Sequence, residues 1–507
     1  MSDILSTTRL RPNPSENDER RKRGSMGKDY RNPIESDLGR AIFSPAARRL
    51  HDKTQVFPLT TDDNIHSRLT HSLEVMNLAH SFALFLSGCK MFCDKIGRNV
   101  DDIMLLRDLE AVLSTICITH DIGNPPFGHF GESAIQQYFS NIFDSMERDL
   151  ARYDKHDTCQ STIMLHLQNK NDGISKVRDF LNNKDALRDY TEFDGNAEGF
   201  RVLSKLQYLN DLYGMNLTSA SLASYLKYPN CGPLDDSDES NIAKHKHGVF
   251  TTEKERMEAA MKNCGISRED SNSFHRHPFS FLMEAADSIC YLCMDIEDAC
   301  SKEWINYNSI VSAIDTNKNS AWKKITDKVN NQLPDAPDER KIVQLRSEIM
   351  SYFLTIACNN FEKNIDAIFD GNYNNELIKD DENKIAKELG KFCVNDIFSK
   401  REIQSLEITG NAVIKGIMDT FVDLLFHTQK SFRNRGKNLI SKGIVMAVIQ
   451  EHYEATGEDK KAYDNFNSFD VDGLTIEERF RIIRDYVAGM TDNYALSHYQ
   501  KLSGQKI

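Results

Sequence analysis

At 507 residues, with 40% hydrophobic and 27% charged side chains, the chain has material for two to four lobes or one large body, and its composition excludes a fibrous or wholly disordered protein. A net charge of −13 argues against a general nucleic-acid coat, because phosphate backbones reward clustered lysine and arginine. No stretch approaches the ~20 apolar residues of a membrane span, and the eleven cysteines, scattered and odd in number, read as reduced core thiols of a cytoplasmic protein.

In chain order, the first 31 residues hold eight Lys or Arg against five Asp or Glu, including the run Arg20, Arg21, Lys22, Arg23. A mobile polar tail is expected there, with a phosphate-contacting arm as the alternative. The start lacks the apolar centre of a secretory signal. From Asn32 onward apolar residues recur at helical spacing and alternating runs are scarce, so the predicted fold class is all-α. Helices are expected near 69–87, 105–122, 277–300, 345–359, 411–428 and 476–489, with loops at 154–158, 230–240 and 330–339. Neither an internal repeat nor a Gly-rich phosphate loop is evident.

The most informative stretch is THDIGNPPFGHFGE, Thr119 to Glu132. Leu109, Val112, Leu113 and Ile116 mark a buried helix that delivers His120 and Asp121 at its C-terminal end, where Gly123 is expected in a left-handed cap. An imidazole beside a carboxylate suits Mn, Fe, Co, Ni or Zn better than Ca. A bare His-Asp pair is a weak signal, and the chain carries a second one, His156-Asp157, assigned to a polar loop. Upstream, Arg68 and His71 stand one helical turn apart on one face. Downstream, Asp287, Tyr291 and Asp295 are spaced by four along an otherwise apolar helix, where unpaired carboxylates need partners.

Taken together, ESDLGRAIFSPAARRLHDKTQVFPL, SRLTHSLEV, THDIGNPPFGHFGE, FDGNAEGFRVLSKLQ, LKYP, HPFSFLMEAADSICYLCMDIEDA and RDYVAGMTDNYA resemble the deoxyguanosine triphosphate triphosphohydrolase family of the HD superfamily, over residues 35–495. The resemblance implies an HD-type helical core over 32–310, enlarged by a C-terminal helical region over 311–507 that completes the pocket and the oligomer contacts. It implies one divalent ion, Mn or Mg, on His71, His120, Asp121 and Asp287, with His129 acting on water or leaving oxygen and Glu132 orienting it. Arg68, Asn196, Lys227, Tyr228 and Lys246 would contact phosphates; Gln55, Tyr291 and Asp295 the sugar; Val56, Arg433 and Arg435 the base. The implied reaction converts a dNTP, foremost dGTP, to deoxynucleoside and tripolyphosphate. A broad-specificity dNTPase is the alternative, followed by an HD phosphohydrolase or nucleotide sensor acting on another nucleotide. Family members form homo-oligomers, commonly hexamers, and some respond to single-stranded DNA, for which Arg20 to Arg23 are candidates.

Overall fold

The computed structural model describes residues 3–11, 29–60, 64–206, 211–234 and 242–506. The helices that place the site begin with α1 (Pro33–Ile42), α2 (Arg68–Gly88), α3 (Ile103–Thr119) and α4 (Gly128–Asp154). They continue with α5 (Gly195–Arg201), α6 (Pro278–Ser301), α7 (Asp338–Lys363) and α8 (Arg401–Leu425). The last three are α9 (Lys442–Thr456), α10 (Ile476–Ala488) and α11 (Asp492–Leu502). Among the described residues there is no strand, only isolated bridges, so the all-α class holds. Local chemistry sets the helix starts. Asn32 and Glu35 form a reciprocal capping box before α1, Ser67 caps α2, and the Asp102 and Asp194 carboxylates cap α3 and α5. The helix expected over 105–122 stops at Thr119.

Two hydrophobic cores form, and they do not divide at residue 310. The first joins α2, α3 and α6 through Phe82, Leu109, Leu113 and Ile289, and continues into Trp322, Phe353 and Leu389. The second packs α4 against α8, α9 and α10, with Phe139, Phe143, Tyr190 and Phe480 interlocked at ring-centroid distances of 4.8 to 6.2 Å. The cores cross the expected boundary at 310/311 rather than following it. Residues 311–403 complete the first core, while α4 and the residues following it belong to the second, because apolar faces pair by complementarity rather than by chain order.

The tail expectation is also revised in part. Residues 3–11 are packed: Ile4 is 2% exposed and accepts through its carbonyl from His277, Thr8 accepts from the Ser219 amide, and Arg9 pairs with Asp37 at 2.9 Å. The Arg20 to Arg23 run lies outside the described residues. All eleven cysteines are free thiols, most of them buried. Cys290 and Cys293 have the two-residue gap of a redox pair, but both sit inside α6, where burial pushes the thiols up.

Candidate active site

The first core holds the HD residues on three helices. His71 points from α2, His120 caps the C-terminal end of α3 with Asp121 following, and Asp287 lies midway along α6. His71 Nε2 is 3.1 Å from Asp287 Oδ1, while His120 Nε2 is 3.5 Å from the same oxygen and 3.6 Å from Asp121 Oδ2. His71, His120 and Asp121 each offer a ligand atom within 4.8 Å of the others. Two donors held at about 2.1 Å from one ion and at right angles to each other stand about 3 Å apart, so these spacings suit a divalent cation.

Hydrogen bonding orients the donors. The Cys117 carbonyl, which only accepts, takes the Nδ1–H of His120 at 2.7 Å, leaving Nε2 directed at the cluster. That Nε2 is buried with no hydrogen-bond partner. Arg68 donates to Asp121 Oδ2 at 2.5 Å, and Asn124 donates to Asp121 Oδ1 at 2.7 Å. Burial alone would lower His120, but the Asp121 and Asp287 carboxylates outweigh it and raise the imidazole to about 9. Burial likewise works against ionised Asp287, which His120, His71 and Lys227 nevertheless hold well below the usual carboxylate range. The cluster therefore demands positive charge, and its donor set fits a metal ion.

Gly123 does not adopt the expected left-handed cap. It is required instead by close approach, since a Cβ there would fall 2.0 Å from the Gly199 amide nitrogen and 2.2 Å from the Gly195 carbonyl of α5. The left-handed residues of this loop are Phe127 and Gly128, which turn the chain into α4.

His129 opens α4. Its Nδ1 is 2.8 Å from Glu132 Oε2, and the other Glu132 oxygen accepts from the Gly195 amide at 2.8 Å. Burial would raise Glu132; the hydrogen bond to His129 is the larger lowering influence and prevails. The side chain of His129 is 77% exposed, presenting its Nε2 edge outward while the carboxylate is buried beneath.

Of the residues expected at the phosphates, Lys246 lies 3.3 Å from Asp194, whose other oxygen accepts from Asn196, so α5 brings Asn196 and Lys246 to one place. Lys227 sits 3.9 Å from Asp287 and over the Tyr228 ring at 5.6 Å. At the expected sugar residues, Gln55 Oε1 is buried without a partner. Asp295, a turn beyond Tyr291 on α6, is 1% exposed with neither oxygen hydrogen-bonded, and burial raises it well above the usual range. Val56 packs against the first core.

The C-terminal arginines are placed differently. Arg433 is buried, forks onto Asp470 at 2.8 and 2.9 Å, and donates to the His427 and Thr428 carbonyls. Those contacts engage four of its five donors, and Asp472 lies 3.6 Å from the Nη2 that carries the fifth, so nothing of Arg433 is left to read a base. Arg435 lies over the Phe432 ring at 5.1 Å. His156, in a left-handed turn after α4, is outside the metal cluster, as its polar surroundings indicated.

Lys53 is absent from the sequence-derived set. Fully buried, it donates to the Asn124 carbonyl and to Ala488 O at 3.1 Å, tying the HD loop to the end of α10. Asp492 reinforces this tie by accepting from Thr54 and, at 2.9 Å, from the Phe127 amide. A lysine flanked by Leu50 and Phe57 was the available signal.

A model of the HD domain matches residues 68–187, and one of the phosphohydrolase-associated domain matches 445–501. A deoxyguanosinetriphosphate triphosphohydrolase of Cronobacter sakazakii is 31% identical over 501 residues, covering 92% of this chain and 93% of that protein. One of Yersinia pseudotuberculosis is 30% identical with the same coverage. A deoxyguanosinetriphosphate triphosphohydrolase-like protein of Listeria innocua is 29% identical, covering 96% of this chain and 98% of that protein. With these motifs on its helices and likeness running nearly end to end, the chain belongs to the deoxyguanosinetriphosphate triphosphohydrolase family of HD-domain proteins.

Proposed function

We propose that the protein hydrolyses a deoxynucleoside triphosphate, foremost dGTP, to the deoxynucleoside and inorganic tripolyphosphate. The observation that carries this reading is the convergence of His71, His120, Asp121 and Asp287 with one buried imidazole nitrogen left open. In the proposed reaction, water adds its oxygen to the α-phosphorus, the bond from that phosphorus to O5′ breaks, and a proton passes to O5′.

A divalent ion, which we take to be Mn or Mg, would polarise the phosphate and acidify water when bound to these four side chains. His129, aligned by Glu132, holds or delivers the moving proton at its Nε2. Arg68 supplies charge beside Asp121, and Lys227, Tyr228, Asn196 and Lys246 hold the polyphosphate. Gln55, Tyr291 and Asp295 orient the sugar; the unpartnered oxygens of Gln55 and Asp295 suit a ligand hydroxyl. Tyr291 and Asp287 share α6, so one rigid element sets both sugar and metal. Arg435 and Val56 remain candidates for the base. The engagement of Arg433 favours the second reading, a broader dNTPase with weak base discrimination.

The resemblance further supports a cytoplasmic homo-oligomer, a hexamer, with single-stranded DNA as an effector. No helix among the described residues is long and apolar enough to cross a membrane.

Incubation with Mn or Mg and each dNTP, followed by product separation, tests the reaction. Deoxynucleoside plus tripolyphosphate is expected. Monophosphate plus pyrophosphate, or no turnover with any dNTP, would reject it.

A further inference from the structure

Glu284 stands one turn before Asp287 on α6, on the same face of that helix, and none of the roles assigned to metal, phosphate or sugar uses it. It is 1% exposed. A carboxylate buried so deeply is costly unless its charge is met.

Two cations meet it from opposite sides. Arg276, also buried, donates from Nη2 to Glu284 Oε2 at 2.8 Å, with its guanidinium over the Phe281 ring at 4.1 Å. The Nε and Nη1 of Arg276 have no hydrogen-bond partner among the described residues, so its hydrogen bonding is spent on holding this one carboxylate in place. The other oxygen, Oε1, faces Lys227. The ammonium is 3.4 Å away, within ion-pair reach, but Oε1 receives no hydrogen bond. The same ammonium lies 3.9 Å from Asp287 Oδ2 and 5.6 Å from the centroid of the Tyr228 ring. Lys227 therefore hangs between two carboxylates of one helical turn and forms a short hydrogen bond to neither.

A lysine is a compact charge on a flexible stem, so its resting place follows the nearest anions, whose pull falls with distance. With Glu284 neutral, the nearest anion would be Asp287 Oδ2. An ammonium closing from 3.9 Å onto that oxygen would occupy a metal ligand and leave the phosphates in the same movement. A Glu284–Arg276 pair that served only to pin α6 would need the Oε2 contact alone, and Lys227 would be free to settle on Asp287. The observed spacing, nearer to Glu284 than to Asp287, is the opposite.

We propose that Glu284 is a positioning residue for the reaction: fixed by Arg276, it draws the Lys227 ammonium off Asp287. This keeps the Asp287 carboxylate open to a divalent ion and the lysine available to phosphate. The inference rests on the assignment of Asp287 as a metal ligand, and its test separates the two.

Full-length parent, Glu284→Gln, Lys227→Met and the double variant are titrated with Mn in the absence of nucleotide, and the EPR signal of free Mn gives the affinity. Glutamine keeps an oxygen for Arg276 and removes the charge. Glu284→Gln should weaken Mn binding about tenfold, Lys227→Met alone should change it less than about threefold, and the double variant should return to within about threefold of the parent, because the competing ammonium is gone. A damaged helix would not be repaired by a second substitution. If Glu284→Gln leaves Arg276 uncompensated and fails to fold, Arg276→Met with Glu284→Gln removes the buried pair together, and the same recovery on adding Lys227→Met is expected. Parent-like Mn binding by Glu284→Gln overturns the proposal. So does a Lys227→Met change that tightens binding by one and the same factor with and without Glu284, which is summed charge and not positioning. Both of these outcomes leave the metal assignment standing, whereas a parent that binds no Mn overturns that assignment and this inference with it.

Discussion

Arg201 and His120 both lie in the protein interior, each at the centre of a group of ionisable side chains, yet the two groups are completed differently. Arg201 donates to Glu253 at 2.7 Å, Asp485 at 2.9 Å and Glu451 at 3.0 Å, while Lys205 and Arg481 engage the same glutamates. Each of these three acids is matched, so the network joins α5 to α9 and α10 and asks for nothing more. Around His120, Arg68 and Lys227 stand beside Asp121 and Asp287, yet His120 Nε2, turned toward that cluster, lacks a hydrogen-bond partner. Leaving buried polar atoms unmatched costs about 1–3 kcal/mol each. The fold tolerates this cost where a ligand will restore the balance. Saturation marks architecture, and an open valence marks a site.

The strongest test of that contrast is to remove a member of each group. His120→Ala should lower dNTP turnover on the order of 10⁴-fold and abolish stoichiometric metal uptake while the melting curve stays cooperative. Retained metal, measured by elemental analysis, would show that His120 is not a ligand. Arg201→Met should act in the opposite sense. It takes one shared cation from three buried acids, which Lys205, Arg481 and Arg484 still contact, and is expected to lower stability by about 3 kcal/mol, read from urea unfolding, with turnover per folded chain little changed. A variant as stable as the parent would mean that the network is replaceable by apolar packing.

Next in size is His129→Ala, which leaves the metal ligands in place and should reduce turnover by roughly 10²-fold through loss of proton transfer. Glu132→Gln keeps a hydrogen-bonding oxygen and should reduce it by about 10-fold, mainly in kcat, because it orients His129 without touching substrate. An equal loss in both variants would argue that the two act as one unit; a larger loss in the glutamine variant would reverse their assigned roles.

How much of this was legible from the sequence follows from which interactions are local. The Asp287 face of α6 and the pairing of Arg68 with His71 are set by helical periodicity, and both appear as expected. The role of Gly123 was not legible, since a glycine needed for close approach to α5 looks in sequence like one needed for a left-handed turn. The buried fork of Arg433 was hidden for a related reason. Its partners at Asp470 are 37 residues away, and nothing local distinguishes a buried fork from a free base contact. The interleaving of the two cores escaped for the same cause. Periodicity identifies a buried face, but the helix that covers it is chosen in three dimensions.

Glu198 is where the two regions meet, and it gives the smallest but sharpest test. It belongs to the buried charges around Arg201 and Arg484, the latter 3.8 Å away, yet its oxygens, like His120 Nε2 at the metal centre, have no hydrogen-bond partner. Burial and Asp485 raise it to about 8 against an ordinary value near 4.5, so the folded chain binds a proton there that the unfolded chain has already released. A group raised in this way contributes stability that is complete below about pH 4.5 and is lost progressively as the pH climbs through about 8. Glu198→Gln keeps the shape and cannot ionise. Its stability should therefore fall less steeply than that of the parent between these limits, with a gain of about 1 kcal/mol at the upper end, read from urea unfolding at a series of pH values. Parallel curves would mean that Glu198 is ionised and paired in solution, a saturated member of the Arg201 network after all.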